Sequence, residues 1–522
     1  MAYASATTNA PTSLAWRLLL FASVGMTGAF LVYVALRLTY PFELEWMEGA
    51  MADHSTRVAR GLDLYVPPGP EHVQFLYTPL LFYLGALLVP IFGEGYLVLR
   101  IVSLVSTLVC AWILFLWVRR VTGSGVVGFV GVGLFFGGYA YLQSWYDLAR
   151  NDMLMIAPLL GAAYLLHCGG RKAAVVAGLL TVIAFLAKQT TLMWLPAIAT
   201  GALLFDWRKG LLFGATATLA IGATVLGYHL ATDGWFTFFV FEMPSHHGRQ
   251  PYEWRFWTED LVPIAPLVIL AMACWIQYWR MGRRGEALFL AAFGSGALLT
   301  SFMSRLHQGG WDNVLVFAFT AGCVLAPIAA ASFQNPRARL AGLALLALQF
   351  VLLVFDPRSL WLERPALLMG SPRFVPTEAH LQASEEVVAY LRTVDGPVML
   401  PFHGHLATMV GKPITAHAQA IGDLVQLIAK PGEPISLEST EHLSPRALAA
   451  VFDFFEATTA AMAQKQYGAI LLDRPSGAVF QNLFTVGLSS YRDAEPVPIR
   501  LGPAIQPTVG MATHSPYVLL PK

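Results

Sequence analysis

Charged residues are scarce in this sequence. Asp, Glu, Lys and Arg together make up only 12% of its 522 residues, whereas 56% of the residues are hydrophobic. Soluble globular proteins carry about twice that share of charged residues. The composition therefore excludes a soluble globular protein and predicts a polytopic α-helical membrane protein.

Basic runs and cysteines are also few, which excludes two further classes of protein. The formal net charge is +1 and no segment is rich in Lys or Arg, so we expect no nucleic-acid partner. The four cysteines lie in or beside apolar segments and form no CxxC pair, which indicates neither a disulfide framework nor a zinc site. No cofactor is predicted, and no metal site is indicated.

Eleven apolar segments are predicted to be transmembrane helices, because crossing the hydrocarbon takes roughly 20 apolar residues. A further apolar segment, 78–93, is shorter and contains Pro79 and Pro90. We predict that it forms a re-entrant or juxtamembrane helix rather than a crossing. The eleven segments are 14–36, 97–118, 125–142, 153–168, 173–187, 190–205, 211–231, 261–279, 286–303, 314–333 and 338–355.

The distribution of basic residues predicts the orientation of these helices. If all eleven segments cross, every cluster of Lys and Arg falls on one side, as the positive-inside rule requires of the cytoplasmic face. A twelfth crossing would break this agreement. We therefore expect a protein of the inner or plasma membrane with a cytoplasmic N-terminus and an external C-terminus. The clusters are Arg17, Arg119 and Arg120, Arg171 and Lys172, Arg208 and Lys209, Arg280, Arg283 and Arg284, and Arg337 and Arg339.

The sequence changes character after the last apolar segment. The stretch DPRSLWLERP is charged and rich in proline, and from about residue 376 helix and strand patterns alternate. Ser384 is expected to cap one helix, and Ser444 with Pro445 is expected to open another. The predicted strands are 398–400 and 469–472. This pattern predicts a C-terminal soluble α/β domain outside the membrane. The two predicted domains are 1–356 and 357–522.

Ionisable and amide side chains outside the basic clusters collect in the loops of the predicted outer face. Three carboxylates, Glu43, Glu45 and Glu48, lie in the first of these loops. Arg100 and Lys188 each interrupt an apolar segment near the membrane surface, where either snorkelling or a phosphate partner would account for them. The other side chains of this set are Asp147, Arg150, Asp152, Gln189, Arg249, Arg305 and His307.

Carboxylates in one loop and single cations in others fit the transfer of a group from a phosphate. A carboxylate can accept the proton of an attacking hydroxyl, and Arg or Lys can hold the phosphate as negative charge develops. For Asp147, Arg150 and Asp152 a self-neutralising cap at a helix end is an equally good interpretation. Aromatic residues in the same loops fit an interfacial belt, and His246 with His247 fits a hydrated loop.

These features resemble the GT-C superfamily of membrane glycosyltransferases. The first-loop acids are followed by an Arg-containing stretch to Gly61, a short helix at 77–79, and Arg100 with Ser103. The pattern is similar to glycosyltransferase family 39, to protein O-mannosyltransferases and to lipid A aminoarabinose transferases, and it extends to about residue 205. The resemblance implies a polyprenyl-phosphate sugar donor, an envelope glycan, lipid or protein as acceptor, and inverting transfer at the outer face.

The resemblance also implies where the base lies. The Asp-Glu pair of the superfamily falls on Met47 and Glu48, so the aspartate is missing, and either Glu48 or Glu45 would act as the catalytic base. The residues expected to bind the donor phosphate are Arg100, Lys188 and Arg150. The residues expected to bind substrate are Glu43, Asp147, Asp152, Gln189, Arg249, Arg305 and His307.

Two other classes of function stay open. One is a transporter or flippase of a lipid-linked or acidic substrate, although transporters usually place ionisable residues at mid-membrane depth rather than at outer helix ends. The other is a structural or assembly protein that binds through its C-terminal domain. A glycosyltransferase accounts best for the acids of the first loop.

Overall fold

The computed structural model describes residues 13–251, 253–360, 369, 371–428, 440, 443–473, 484–494 and 517–522. Up to residue 231 the helices are α1 (Leu14–Arg37), α2 (Glu48–Ala59), α3 (Leu80–Phe92), α4 (Tyr96–Thr122), α5 (Gly125–Gly137), α6 (Asp152–Cys168), α7 (Arg171–Ala187), α8 (Thr191–Phe205) and α9 (Trp207–Ala231). A loop with short helical turns then leads to α10 (Ala265–Arg280), α11 (Arg284–Leu306), α12 (Val316–Ser332) and α13 (Pro336–Val354).

Each of the eleven predicted transmembrane segments overlaps a helix, although the segment 125–142 extends five residues beyond the end of α5. Seven helices in the described part of the chain are long and apolar enough to cross a membrane: α1, α4, α9, α10 with the turn before it, α11, α12 with the turn before it, and α13. Shorter apolar helices include α3, α5, α6 and α8. The prediction of a polytopic helical membrane protein is confirmed, whereas the count of eleven crossings stays a prediction.

Contacts between helix ends give the bundle two distinct ends. Ser103, near the start of α4, donates a hydrogen bond to the carbonyl of Arg150, just before α6. Near the other end of the same two helices, the Trp117 indole N–H donates to His167 at 2.9 Å. Helices α4 and α6 therefore run in the same direction, and α5 returns between them. We call the end that carries residues 38–47 and 138–151 the loop end.

Close packing inside the bundle depends on small residues. Helix α5 is rich in glycine, and a Cβ atom on Gly133 would overlap Ser23 of α1. A Cβ on Gly138, directly after α5, would overlap the ring of Phe319 in α12. In the most apolar stretch of α12, together with the turn before it, 94% of the residues are buried. In the corresponding stretch of α9 the share is only 22%. Helix α12 therefore lies at the centre of the bundle, and α9 lies at its periphery.

The C-terminal region, residues 371–522, contains a mixed four-stranded sheet and several helices. The strands are β1 (Val398–Met399), β2 (Ala469–Leu472), β3 (Tyr491–Asp493) and β4 (Tyr517–Pro521). Their order is β1-β2-β4-β3, with β1 parallel to β2 and β4 antiparallel to both of its neighbours. The helices are α14 (Glu378–Thr393), α15 (Gly404–Thr408), α16 (Ala418–Val425), α17 (Pro445–Ala463) and α18 (Thr485–Leu488).

The structure confirms three of the local predictions in this region and corrects one. Strands β1 and β2 lie where expected, and the Ser444 side chain caps α17 by accepting a hydrogen bond from the Ala447 N–H. Ser384, however, lies inside α14, where its hydroxyl donates to the carbonyl of His380. Thr377 is the true cap, because its side chain and that of His380 form a reciprocal capping box. The domain boundary after residue 356 stays a prediction, and residues 361–366 of the junction lie outside the described residues.

Candidate active site

A cavity of about 580 Å³ lies at the loop end of the bundle. This volume falls within the range of roughly 300–1,000 Å³ that is usual for small-molecule sites. Its walls come from the first loop, the segment 75–77, the loop before α6, the α7–α8 turn, the loops after α9 and α11, and helix α16 of the C-terminal region. The charged and histidine side chains that line it are Glu45, Arg150, Asp152, Lys188, His247, Arg249, His307 and Asp423.

Glu45 and Arg150 form a buried ion pair in the cavity wall. Glu45 Oε2 lies 3.3 Å from Arg150 Nη1 and accepts a hydrogen bond from the Met47 N–H at 3.2 Å. Both contacts reach the same oxygen, so Oε1 has no partner among the described residues. Burial raises the pKa of Glu45 to about 7, although Arg150 acts in the opposite direction. A carboxylate with a free oxygen and a near-neutral pKa is well suited to accept a proton.

Arg150 is held in place but keeps one donor unused. Its Nη2 donates to the hydroxyl of Tyr77 at 2.9 Å, and its guanidinium lies 4.8 Å from the centre of the Trp145 ring. The buried Nε atom has no hydrogen-bond partner in the described part of the chain. This N–H is therefore available to an oxygen atom of a ligand or a water.

A second ion pair, Asp152 with Lys188, lies in the same wall. Lys188 Nζ is 2.7 Å from Asp152 Oδ1, which also accepts from Asn313 Nδ2 at 2.9 Å. Asp152 is the first residue of α6, where the positive end of the helix dipole favours a carboxylate. Lys188 directly follows α7, and the next residue, Gln189, donates to the carbonyl of Leu76 at 2.5 Å. The turn between α7 and α8 thus presents an amine to the cavity.

Glu48 and Arg100, the residues expected as a base and as a phosphate-binding group, do not line the cavity. Both side chains are fully buried, and the carboxylate receives Arg100 Nε at 3.1 Å and Nη2 at 2.6 Å. The N–H groups of Leu44 and Ala149 also donate to it, each at 2.7 Å. Burial would raise the pKa of Glu48, but Arg100 and these N–H groups outweigh it and lower the pKa. Both oxygens of the carboxylate accept hydrogen bonds from the protein, and Arg100 also donates to the carbonyls of Tyr40 and Phe42.

Asp147 and Arg305 also lie outside the cavity lining. Asp147 pairs with Arg37 of α1 at 3.3 Å, and both side chains are fully buried. Arg305 reaches both oxygens of Asp260, at 2.8 and 3.0 Å, and also contacts Asp312 at 3.0 Å. Each residue thus ties two segments of the loop end together. Neither residue is among those that line the cavity.

Glu43, the remaining first-loop acid, contacts the C-terminal region instead of the cavity. Its Oε2 lies 2.6 Å from His403 Nδ1, and His403 Nε2 lies 3.2 Å from Asp473. Burial alone would lower the pKa of His403, but Asp473 and Glu43 raise it to about 10, which favours the protonated imidazole. A second buried pair joins Asp53 of α2 to His405 at 2.7 Å. The first loop and α2 are therefore fastened to the C-terminal region.

The structure brings together seven of the twelve predicted site residues in one cavity. They are Glu45, Arg150, Asp152, Lys188, Gln189, Arg249 and His307. Sequence reasoning missed Gln419 and Asp423, which line the cavity from α16, and it placed His247 in a hydrated loop. The His247 side chain is only 3% exposed and lies 3.5 Å from Asp423. The polar residues spaced four apart in the apolar stretch 418–425 could have indicated a helix with one polar face.

Comparison with known proteins agrees with this architecture. A family model described as dolichyl-phosphate-mannose-protein mannosyltransferase matches residues 77–229. No curated protein matches the sequence significantly. ArnT from Cupriavidus metallidurans, solved with undecaprenyl phosphate bound, is similar over 96% of this chain and 98% of that chain, with a TM-score of 0.60 and 13% identity. Its apo structure has a TM-score of 0.50 and 15% identity, covering 90% of this chain and 95% of that chain.

The chain therefore has the fold of the GT-C superfamily of membrane glycosyltransferases, and the resemblance seen in the sequence is confirmed. The oligosaccharyltransferase of Archaeoglobus fulgidus has a lower TM-score of 0.48, with 12% identity over 92% of this chain and 74% of that chain. At such identities the similarity establishes the fold alone. Residue roles must be argued from the geometry of this cavity.

Proposed function

We propose that this protein is a membrane glycosyltransferase that moves a sugar from a polyprenyl-phosphate donor to a hydroxyl of an envelope glycan, lipid or protein. The observation that carries the proposal is the position of Glu45, a buried carboxylate with a free oxygen, in a cavity that also contains Arg150 and Lys188. The GT-C fold and the undecaprenyl phosphate bound to the similar ArnT support a lipid-phosphate donor.

In the proposed reaction Glu45 is the general base. Its ionised carboxylate accepts the proton of the acceptor hydroxyl while that oxygen attacks the anomeric carbon of the sugar. The bond from this carbon to the phosphate oxygen breaks in the same step, so the configuration inverts and lipid phosphate leaves. Arg150 and Lys188 stabilise the negative charge that develops on the phosphate. Arg249, exposed at the rim of the cavity, adds a third positive charge.

Glu48 and Arg100 take a positioning role in this proposal, in place of the base and phosphate roles that the sequence suggested. Glu48 accepts from the N–H of Leu44, the residue directly before Glu45. Arg100 donates to the backbone carbonyl of Phe42, also in the first loop. Together they fix the backbone on the amino-terminal side of the base, so that the free oxygen of Glu45 keeps its position in the cavity.

The charges of the cavity lie at helix ends, which argues against a transporter. Asp152 is the first residue of α6, and Lys188 directly follows the last residue of α7. A transporter would usually place such groups midway along its helices, where a carried substrate is hidden from both sides of the membrane. A glycosyltransferase whose lipid donor enters at one face of the membrane needs charged binding residues at that face only.

We further propose that the loop end faces outward and that the C-terminal region lies outside the cell membrane. The support is the positive-inside rule, since the basic clusters fall at the opposite ends of the helices. A topology reporter fused after Phe355 or at the C-terminus is expected to report an external position. A cytoplasmic signal from both fusions would contradict this orientation.

The test of the function is Glu45→Gln, which keeps the shape of the side chain and removes its basicity. Transfer of labelled sugar from undecaprenyl-phosphate-linked hexoses and pentoses to membrane acceptors is expected to fall by about 10²- to 10⁴-fold, the usual contribution of a general base. Donor affinity should persist. Glu94→Gln is the matched control, because Glu94 pairs with Arg60 on the surface. Near-normal transfer by Glu45→Gln would contradict the assignment of the base.

A further inference from the structure

Helix α16 brings part of the C-terminal region into the wall of the cavity. Its first turn is capped by His417, whose side chain accepts a hydrogen bond from the Gln419 N–H. The other ring nitrogen of His417 contacts the carbonyl of Trp46 at 3.2 Å, and the two rings are 5.0 Å apart. Because Trp46 directly follows Glu45, α16 is attached beside the proposed base.

The sequence of α16 divides the helix into an apolar face and a polar face. Ile421 and Leu424 are buried in the apolar core that also contains Trp46. Gln419 and Asp423, four residues apart and thus on one face, line the cavity. Gln419 Nε2 donates to Asp423 Oδ1 at 2.7 Å, which orients both side chains.

His247 and Gln308 face the same space with unused hydrogen-bonding groups. Neither ring nitrogen of His247 has a hydrogen-bond partner in the described part of the chain, although Nε2 lies 3.5 Å from Asp423. The buried Oε1 of Gln308 also has none there. Both residues line the cavity. Buried polar groups without partners are rare in proteins, so the arrangement indicates that a ligand supplies the missing partners.

This part of the cavity differs from the ion-pair wall in its charge. Burial raises the pKa of Asp423 to about 8, and burial lowers the pKa of His247 to about 3. These shifts favour the uncharged form of both side chains, and Gln419 and Gln308 carry no charge. An uncharged set of donors and acceptors matches hydroxyl groups, whereas a phosphate is matched by the cations Arg150 and Lys188.

We propose that Gln419, Asp423 and His247 form a subsite for the hydroxyl groups of a sugar ring, with α16 of the C-terminal region as one wall. This proposal rests on the proposed glycosyltransferase function and extends it to the C-terminal region. The sugar can belong to the lipid-linked donor or to a glycan acceptor, since both present the same hydroxyl chemistry. The C-terminal region would then bind substrate directly, beside Glu45, the proposed base that directly precedes Trp46.

The donor source is tested by comparing a lipid phosphate without a sugar with the same lipid phosphate carrying one of three sugars. Binding of undecaprenyl phosphate and of undecaprenyl-phosphate-linked glucose, mannose and arabinose is measured with the full chain in nanodiscs. In the double variant Asp423→Ala/His247→Ala, affinity for the sugar-bearing lipid is expected to fall about tenfold or more, from the loss of two hydrogen bonds. Affinity for undecaprenyl phosphate should stay within about twofold.

Three further variants separate a loss of sugar binding from a loss of folding. Gln419→Ala removes a half-buried side chain, so it preserves the fold if the double variant does not, and it should show the same selective loss. Asp423→Asn keeps the shape and the uncharged state and should retain most of the affinity. Asp453→Ala, on the exposed side of α17, is the matched control and should bind both lipids as the parent does.

The acceptor source gives a different result, and a third result overturns the subsite. If the sugar belongs to the acceptor, the variants bind both lipids normally but raise the KM for the membrane acceptor at unchanged donor affinity. Normal binding of both lipids together with an unchanged acceptor KM would overturn the subsite while leaving the function intact. Failure of the parent protein to bind either lipid would instead overturn the proposed function and the subsite with it.

Discussion

The first loop has an anchored side, where Glu48 pairs with Arg100, and a cavity side, where Glu45 lines the cavity. The two glutamates show how these sides differ. Glu45 and Glu48 are three residues apart, both are buried, and both pair with an arginine. Glu48 receives four hydrogen bonds spread over its two oxygens, whereas the contacts of Glu45 all reach one oxygen. Burial and pairing therefore do not distinguish the proposed base, Glu45, from Glu48. The distinction is whether any hydrogen-bonding capacity is left for a substrate.

The largest expected effect is a loss of folding stability when charge is removed from the anchored side. Glu48→Gln leaves the Arg100 guanidinium buried without its carboxylate, and breaking such a pair typically costs about 3–5 kcal/mol of folding free energy. Glu45→Gln should cost much less, because Arg150 keeps Tyr77 and borders the cavity. Thermal unfolding of both variants in detergent measures the difference. Equal stability of the two variants would remove the distinction between the sides.

A second prediction concerns the buried histidine that attaches the loop to the C-terminal region. His403→Gln removes the cation between Glu43 and Asp473 and should cost about 1.5–3 kcal/mol, the usual range for a hydrogen bond to a charged group. Hydrogen exchange of residues 398–410 should rise accordingly. Asp453→Asn serves as the control, since it also alters the C-terminal region but leaves this contact intact.

The same histidine makes the attachment depend on pH. The pKa of His403 is raised in the fold to about 10, from an ordinary value of about 6.5. Its stabilising contribution is therefore fully present below about pH 6.5 and is lost as the pH rises through about 10. Protection of residues 398–410 should fall over this window in the parent protein. A His403→Gln variant with the same pH dependence would show that another group is responsible.

The smallest expected effect is the pH dependence of transfer, which tests Glu45 on the cavity side. With a pKa of about 7 at Glu45, kcat/KM for transfer should rise about tenfold per pH unit below 7 and level off above it, because only the ionised base accepts a proton. The residual activity of Glu45→Gln should lack this rise. A parent profile that is flat between pH 5.5 and 8.5 would exclude Glu45 as the titrating base.

Several features of the candidate site could be predicted because they depend on local sequence. The isolated position of Lys188 between apolar segments indicated a residue at the membrane surface, and Lys188 lines the cavity together with Arg150 from the loop before α6. Arg100 shows the same local pattern, yet it lies outside the cavity. No sequence signal separated these arginines and lysines, because a buried cation with a carboxylate partner is as well satisfied as one that binds phosphate. The partner of Arg100 is fixed by how α4 packs against the first loop.

The chain's sequence by itself determined that it is a membrane protein, where its helices lie and which loops carry ionisable groups, because apolar runs and turn residues act over short distances along the chain. Only the tertiary structure decided which glutamate of the first loop lines the cavity. It also placed Gln419 and Asp423 beside residues more than a hundred positions away. Such choices depend on which long-range partners satisfy each buried charge, and that is settled only when the helices and the C-terminal region pack together.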